Sequence, residues 1–237
     1  GSSPCCTRCP TRGGGPDAMA APPEDSSSET EARADALWGA RQSGTCIGAL
    51  QEIATEEAGY WVQARAVASA GRFGSGVVGW KCGPCAAKDV EASQMREPGR
   101  APIFAPGRWA SGATVPLAAG TASYARVLEA EVGFVLTAGL PPRSSPYTDE
   151  EVWAAVGQVV PCLEICGSRF APELKTQMTA FQRLADCGNN LGVVVGGGVA
   201  RAEVSIEALR DVKVELRQNG EQVASGTGRN GVVPAAD

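Results

Sequence analysis

An α+β domain with a largely β core is the fold class this sequence predicts. Three observations carry it. Helical patterns come first along the chain, and at Val77 the apolar period changes to that of strands, without a regular βαβ alternation. Asn219-Gly220 lies between two short strand-like runs and is the strongest hairpin signal in the chain. Gly and Pro are abundant, 30 and 16 residues, so turns should be frequent.

The elements follow in order. Gly1 to Ser28 is rich in Pro, Gly, Ser and Ala and cannot bury enough surface to offset chain entropy, so it is expected to be a disordered tail. Met19 within it reads as a native start, and Cys5, Cys6 and Cys9 lack a second ligand pair at zinc-finger spacing. Glu29 to Gln42 has good helix formers, with Leu37 and Trp38 on one side and Gly44 as a stop. Thr55 caps a second helix, whose Glu56 and Glu57 suit the positive end of the dipole and whose Gly71 closes it. Val77 to Cys82 reads as a strand, followed by a Gly/Pro-rich loop region from Glu97 to about Gly120. Leu128 to Thr137 is a strand. Thr148-Asp149-Glu150-Glu151 forms a capping box before a helix containing Val152, Trp153 and Val156. Gln158 to Ile165 and Leu191 to Val195 are strands, and Val212 to Leu216 and Gln222 to Ser225 form the hairpin.

Composition excludes several classes of function. The 237 residues are 43 % apolar and 20 % charged, a globular composition with enough length for a core that needs no staples. The formal net charge of −5 leaves no basic footprint for nucleic acid. With no histidine there is no Ser-His-Asp triad, no HExxH zinc site and no imidazole base. The uncharged run from Trp109 to Ala125 holds Gly, Ser, Thr and Pro, so no membrane span is expected. Nine cysteines, an odd count in a chain of this size, argue against a disulfide scaffold and for a reducing, cytoplasmic setting.

Two patterns carry chemistry. Cys82-Gly83-Pro84-Cys85 matches a redox motif, but that chemistry needs the first cysteine at a helix N-terminus, and Gly and Pro here are ordinary turn residues. Glu129-Ala130-Glu131 sits inside an apolar strand, where positions i and i+2 share a face. An isolated E-x-E is commonly a solvated strand face. Glu164 changes this, because it lies in the apolar run Val159 to Ile165, where an unpaired charge is costly. A hard divalent cation with oxygen ligands would compensate three converging carboxylates and requires no histidine.

These segments occur in a familiar order. Gly79-Trp80-Lys81-Cys82-Gly83, Leu128 to Leu136 with its E-x-E, Pro161-Cys162-Leu163-Glu164-Ile165-Cys166-Gly167-Ser168-Arg169, Leu184-Ala185-Asp186, and Gly226-Thr227-Gly228 after the hairpin resemble the 2-keto-4-pentenoate hydratase group of the fumarylacetoacetate hydrolase superfamily. The resemblance covers roughly Ala32 to Asn230. It implies a mixed β-sheet roll with N-terminal helices over residues 29–237. It also implies a hydro-lyase of aromatic catabolism that adds water to a 2-hydroxy-dienoate or 2-oxo-alkenoate. Glu129, Glu131 and Glu164 carry over as ligands of Mg²⁺ or Mn²⁺. Lys81 carries over as a substrate-orienting or proton-transferring group whose pKa burial and the metal would depress. Asp186 carries over as a weaker catalytic candidate and Arg169 as a candidate for binding a substrate carboxylate. A small 2-oxo acid substrate and a homo-oligomer complete the expectation. A decarboxylase of the same superfamily and an inactive scaffold paralogue are the alternatives.

Departures from the group's pattern are specific. Its ADNAS-like stretch is Ala185-Asp186-Cys187-Gly188-Asn189, Gly167 stands where an acid is usual, and Ile103 to Arg108 supplies no acid. Val232 to Asp237 is unlike the group's continuation, so an incomplete C-terminal end is expected.

Overall fold

The computed structural model describes residues 28–49, 52–72, 76–83, 91, 93–96, 98–115, 127–174 and 176–230. The expected tail before Ser28, Cys85 of the C-x-x-C motif and the segment Val232 to Asp237 lie outside the described residues.

Helices α1 (Ser28–Ser43) and α2 (Glu56–Arg72) pack together at the start. The Thr55 hydroxyl accepts from the Ala58 amide at 3.1 Å, which is the expected cap. Their apolar stripes bury Ala34, Leu37, Trp61 and Val62 against Phe170, Met178 and Ala185. A second cluster joins Ala66 and Ala70 of α2 to Ala101, Phe104 and Cys187. The helices therefore cover β1 and β2 and the turn around Cys187.

Strand β1 (Val77–Gly83) pairs antiparallel with β2 (Gly99–Phe104), and β3 (Arg108–Ala110) follows at once. Both β2 and β3 fall in the region the sequence reads as a loop. Pro102 is tolerated because β2 pairs with β1 alone and has an edge that needs no donor. At Gly107 a Cβ would stand 2.7 Å from the Leu191 carbonyl oxygen, so this glycine serves a close backbone approach rather than a free turn.

The main sheet runs β3-β6-β5-β4, with β4 at Val127–Leu136, β5 at Val156–Cys166 and β6 at Asn190–Val195; β7 (Val199–Ala200) also pairs with β5. β3 and β6 are parallel and the other pairings antiparallel. Helix α3 (Asp149–Ala155) begins with the expected capping box at Thr148. It stops one residue short of Val156, which instead opens β5. The short helix α4 (Ala180–Ala185) carries a second capping box, Thr179 with Gln182, that the sequence reading missed. Helix α5 (Ile206–Asp211) precedes the hairpin of β8 (Lys213–Gln218) and β9 (Glu221–Thr227). Asn219 and Gly220 take φ of 53° and 87° at its tip, the two left-handed residues of a type I′ turn. The result is a mixed α+β fold. No helix among the described residues is long and apolar enough to cross a membrane.

Candidate metal centre

The site is built on the register between β4 and β5. Glu129 stands opposite Glu164, Glu131 opposite Cys162, and Val127 opposite Cys166. Directly paired residues share a sheet face, so three carboxylates and two thiols project from one surface. Two glutamates directly opposed repel, and such a pair persists only where something compensates it. Donor atoms of Glu129, Glu164 and Cys166 converge within 4.8 Å of one another. Glu131 stands two residues along the same strand. Burial first and the Glu164 charge second raise its carboxyl to about 7, with Lys81 opposing them and Glu129 adding to them.

Glu164 is the anchor. It is 1 % exposed, and both of its oxygens are engaged. Lys81 reaches across from β1 to place Nζ 2.6 Å from Oε2, and Asn190 donates Nδ2 to Oε1 at 2.9 Å. Burial by itself would lower the lysine pKa. The charge of Glu164 and its hydrogen bond, with Cys166 and Glu131 behind, instead leave it raised. Between these two residues the charge and hydrogen bond of Glu164 outweigh burial.

The turn that delivers Asn190 is unusual. Cys187, Gly188 and Asn189 have φ of 53°, 61° and 59°, three consecutive left-handed residues. Each non-glycine there costs on the order of 1–2 kcal/mol. Burial of Cys187 against Ala101 and Phe104 holds the turn in place. A Cβ on Gly188 would meet Ala101 Cβ at 3.2 Å and the Lys81 stem at 3.7 Å, so the turn also forms one wall for the lysine.

Arg169 and Asp186 form a separate knot behind this one, 1 % and 2 % exposed at their side chains. Arg169 Nε donates to Asp186 Oδ1, and the Arg169 amide and Ser168 hydroxyl both donate to Oδ2 at 2.9 Å. Arg169 Nη1 donates to the Asn190 carbonyl at 2.8 Å, and Arg41 Nη2 from α1 donates to the same oxygen at 2.7 Å. Neither residue faces solvent; Arg169 holds the backbone of Asn190, and Asp186 holds Arg169.

The donor set fits a divalent cation. Among the described residues three carboxylates gather near one ammonium, and oxygen donors suit hard cations. Sequence reasoning did not single out Cys166 or Asn190. Cys166 is two residues after Glu164 on the same strand, which is the signal that would have found it. Its thiol is pushed well up, by burial first and Glu164 next. Cys82 lies exposed inside β1 rather than at a helix N-terminus, so the environment that a redox cysteine needs is missing there.

No family model matches the chain. Two curated relatives do: 2-keto-4-pentenoate hydratase from Paraburkholderia xenovorans and 2-keto-4-pentenoate hydratase 3 from Pseudomonas putida. Each is 30 % identical over 203 residues, which is 84 % of this chain and 72 % of the relative. The chain belongs to the 2-keto-4-pentenoate hydratase family. Among solved structures, this family member resembles the 4-oxalocrotonate decarboxylase of Pseudomonas putida complexed with magnesium and adipate. The TM-score is 0.73 and the identity 22 %, over 86 % of this chain and 74 % of the other. The same decarboxylase complexed with calcium and acetate gives a TM-score of 0.71 at 22 % identity, with the same coverage. At that identity the likeness is one of fold.

Proposed function

We propose that this hydratase-family chain is a divalent-metal-dependent hydro-lyase that adds water to a 2-hydroxy-dienoate or 2-oxo-alkenoate. The carboxylate row of Glu129, Glu131 and Glu164 on one sheet face, with Lys81 at its rim, is the observation that carries the reading. Glu129, Glu131 and Glu164 would hold Mg²⁺ or Mn²⁺, which supplies Lewis acidity toward the substrate carboxylate and its neighbouring oxygen.

The chain's own groups supply the rest. Lys81, kept as an ammonium by Glu164, orients the substrate and carries the proton that a dienol needs to become a ketone before water adds across the activated double bond. Asn190 fixes Glu164, and Arg169 with Asp186 fixes Asn190, so Arg169 and Asp186 act as positioning residues. The five described cysteines are all free thiols, consistent with a reducing cytoplasm. A homo-oligomer belongs to the same proposal on the family resemblance.

Calorimetry tests this reading with Mn²⁺ and oxalate, a chelating mimic of a 2-oxo acid, on the chain and on a Glu129→Ala, Glu131→Ala double variant. Binding that oxalate strengthens and the double variant loses is expected, together with hydration of a 2-hydroxy-dienoate. A folded chain that binds no Mn²⁺ would overturn it. The likeness to a solved decarboxylase supports a second reading, loss of CO₂ from a 2-oxo acid at the same carboxylates. CO₂ release without water addition would select that reading.

A further inference from the structure

The strand that carries Glu164 also brings a sulfur into the carboxylate face. Cys166 follows Glu164 by two residues on β5, so both side chains leave the same side of the strand. On β4, Glu129 stands opposite Glu164 and Val127 opposite Cys166. Among the described residues, the donor atoms that converge within 4.8 Å of one another are those of Glu129, Glu164 and Cys166. Cys166 is 8 % exposed and its thiol donates to the Glu164 carboxylate, while Glu129 is exposed. The group is therefore buried at Glu164 and Cys166 and open to solvent at Glu129. Cys166 is not among the residues that the family resemblance carries over.

Glu164 is fixed at both oxygens, by Lys81 and by Asn190, and Asn190 is the β6 residue paired with Cys166. A carboxylate has about four acceptor positions, so these hydrogen bonds leave lone pairs for a cation. Once the thiol proton has left, the three donors carry three negative charges, which the Lys81 ammonium and a divalent cation cancel. Two oxygens and one sulfur beside an open position suit a borderline-soft ion such as Zn²⁺, which takes three protein ligands and a water. Its bond lengths of about 2.0–2.3 Å place tetrahedral donors about 3.5 Å apart, inside the observed spread.

We propose that Glu129, Glu164 and Cys166 form a mixed oxygen–sulfur centre that takes Zn²⁺, and that Cys166 sets this preference. The inference rests on the metal-dependent reading above and deepens it. Mg²⁺ or Mn²⁺ takes the three carboxylates, whereas Zn²⁺ takes Cys166 in place of Glu131. The two sets share Glu129 and Glu164, so the two ions exclude one another. Binding forms a metal–sulfur bond, and the thiol proton leaves to solvent with no change of oxidation state. Cys162 lies four residues from Cys166, about 13 Å along the strand, too far to join the same ion.

Co²⁺ serves as a visible stand-in for Zn²⁺, because a thiolate ligand gives it a near-ultraviolet charge-transfer band. The test uses the full chain with Cys5, Cys6 and Cys9 changed to serine, so that no thiol of the N-terminal segment contributes. The band is expected in that chain and in its Cys162→Ser variant, and should vanish in Cys166→Ser and in Glu129→Ala. Zn²⁺ should erase the band and displace Mn²⁺, followed by electron paramagnetic resonance. Cys166→Ser should lower Zn²⁺ affinity about tenfold or more and change Mn²⁺ affinity less than about twofold. Circular dichroism reports which variants fold, and Cys166→Ala replaces the serine variant if a buried hydroxyl prevents folding. A band that is absent, or that survives in the folded Cys166 variant, overturns the proposal, as does Zn²⁺ that binds beside Mn²⁺ without displacing it. Mn²⁺ binding without the band leaves the metal-dependent reading standing, whereas a folded chain that binds neither ion removes both.

Discussion

Two charge clusters lie side by side in this molecule, one fully buried and one reaching the surface at Glu129, and they differ in balance. In the Arg169–Asp186 knot one cation meets one anion, and the carboxylate oxygens and guanidinium nitrogens find partners in each other, Ser168 and Asn190. At the carboxylate face the described residues place one ammonium, that of Lys81, beside Glu164 and Glu131, with Glu129 opposite Glu164. A satisfied cluster holds structure, whereas an unbalanced one has unspent affinity for a cation. Asn190 joins the two, with its carbonyl in the knot and its amide on Glu164.

The comparison breaks most visibly at the knot. Arg169→Met leaves Asp186 charged and buried without its partner, and should cost about 3–5 kcal/mol, read as a lower denaturant midpoint at unchanged slope. Next comes Glu164→Gln, which strips Lys81 of its counter-charge and should abolish Mn²⁺ binding in calorimetry while the chain stays folded. If Arg169→Met loses Mn²⁺ binding at undiminished stability instead, the two clusters have been assigned the wrong way round.

Glu131 is held at about 7 against an ordinary 4.5. A carboxyl raised in the folded state retains its proton where the unfolded chain has lost it. Its contribution therefore favours folding at low pH and is lost as pH rises from 4.5 through about 7. Metal binding has the opposite slope, because the ligand must be deprotonated. Mn²⁺ affinity should rise from pH 6 to 8, and Glu131→Gln should flatten both trends.

Smaller effects sharpen the contrast. Glu129→Gln removes the like charge opposite Glu164 and should stabilise the chain by about 0.2–1 kcal/mol in a melt without added metal, at the cost of Mn²⁺ affinity. Cys166→Ser should weaken Cd²⁺ binding and leave Mn²⁺ nearly untouched, since sulfur favours the softer ion. The ultraviolet thiolate–metal band in the Cd²⁺ titration reports this directly.

Legibility in the sequence varied with the range of the interaction. Glu129 and Glu131 were readable as one face because strand alternation is local. Thr148 and Asn219-Gly220 were readable because caps and two-residue turns are decided within four residues. Strands β2 and β3 were not, since Gly99, Pro102 and Gly107 are turn residues by composition and become strand or strand-flanking residues only against β1 and β6. Cys166 and Asn190 were missed because neither has a chemical signature until Glu164 is beside it.

By itself the sequence determined the two N-terminal helices and the helix capped by Thr148, the shared face of Glu129 and Glu131, the absence of imidazole chemistry and the acids from which a cation site could be made, since each follows from composition or from neighbours a few residues apart. Tertiary structure alone decided that Glu129 faces Glu164 in register, that Lys81 crosses from another sheet to pair with Glu164, and that the Cys166 thiol converges with both carboxylates. Those outcomes depend on strand pairing between segments far apart in the chain, and such pairing is selected by the packing of the whole core rather than by any local preference.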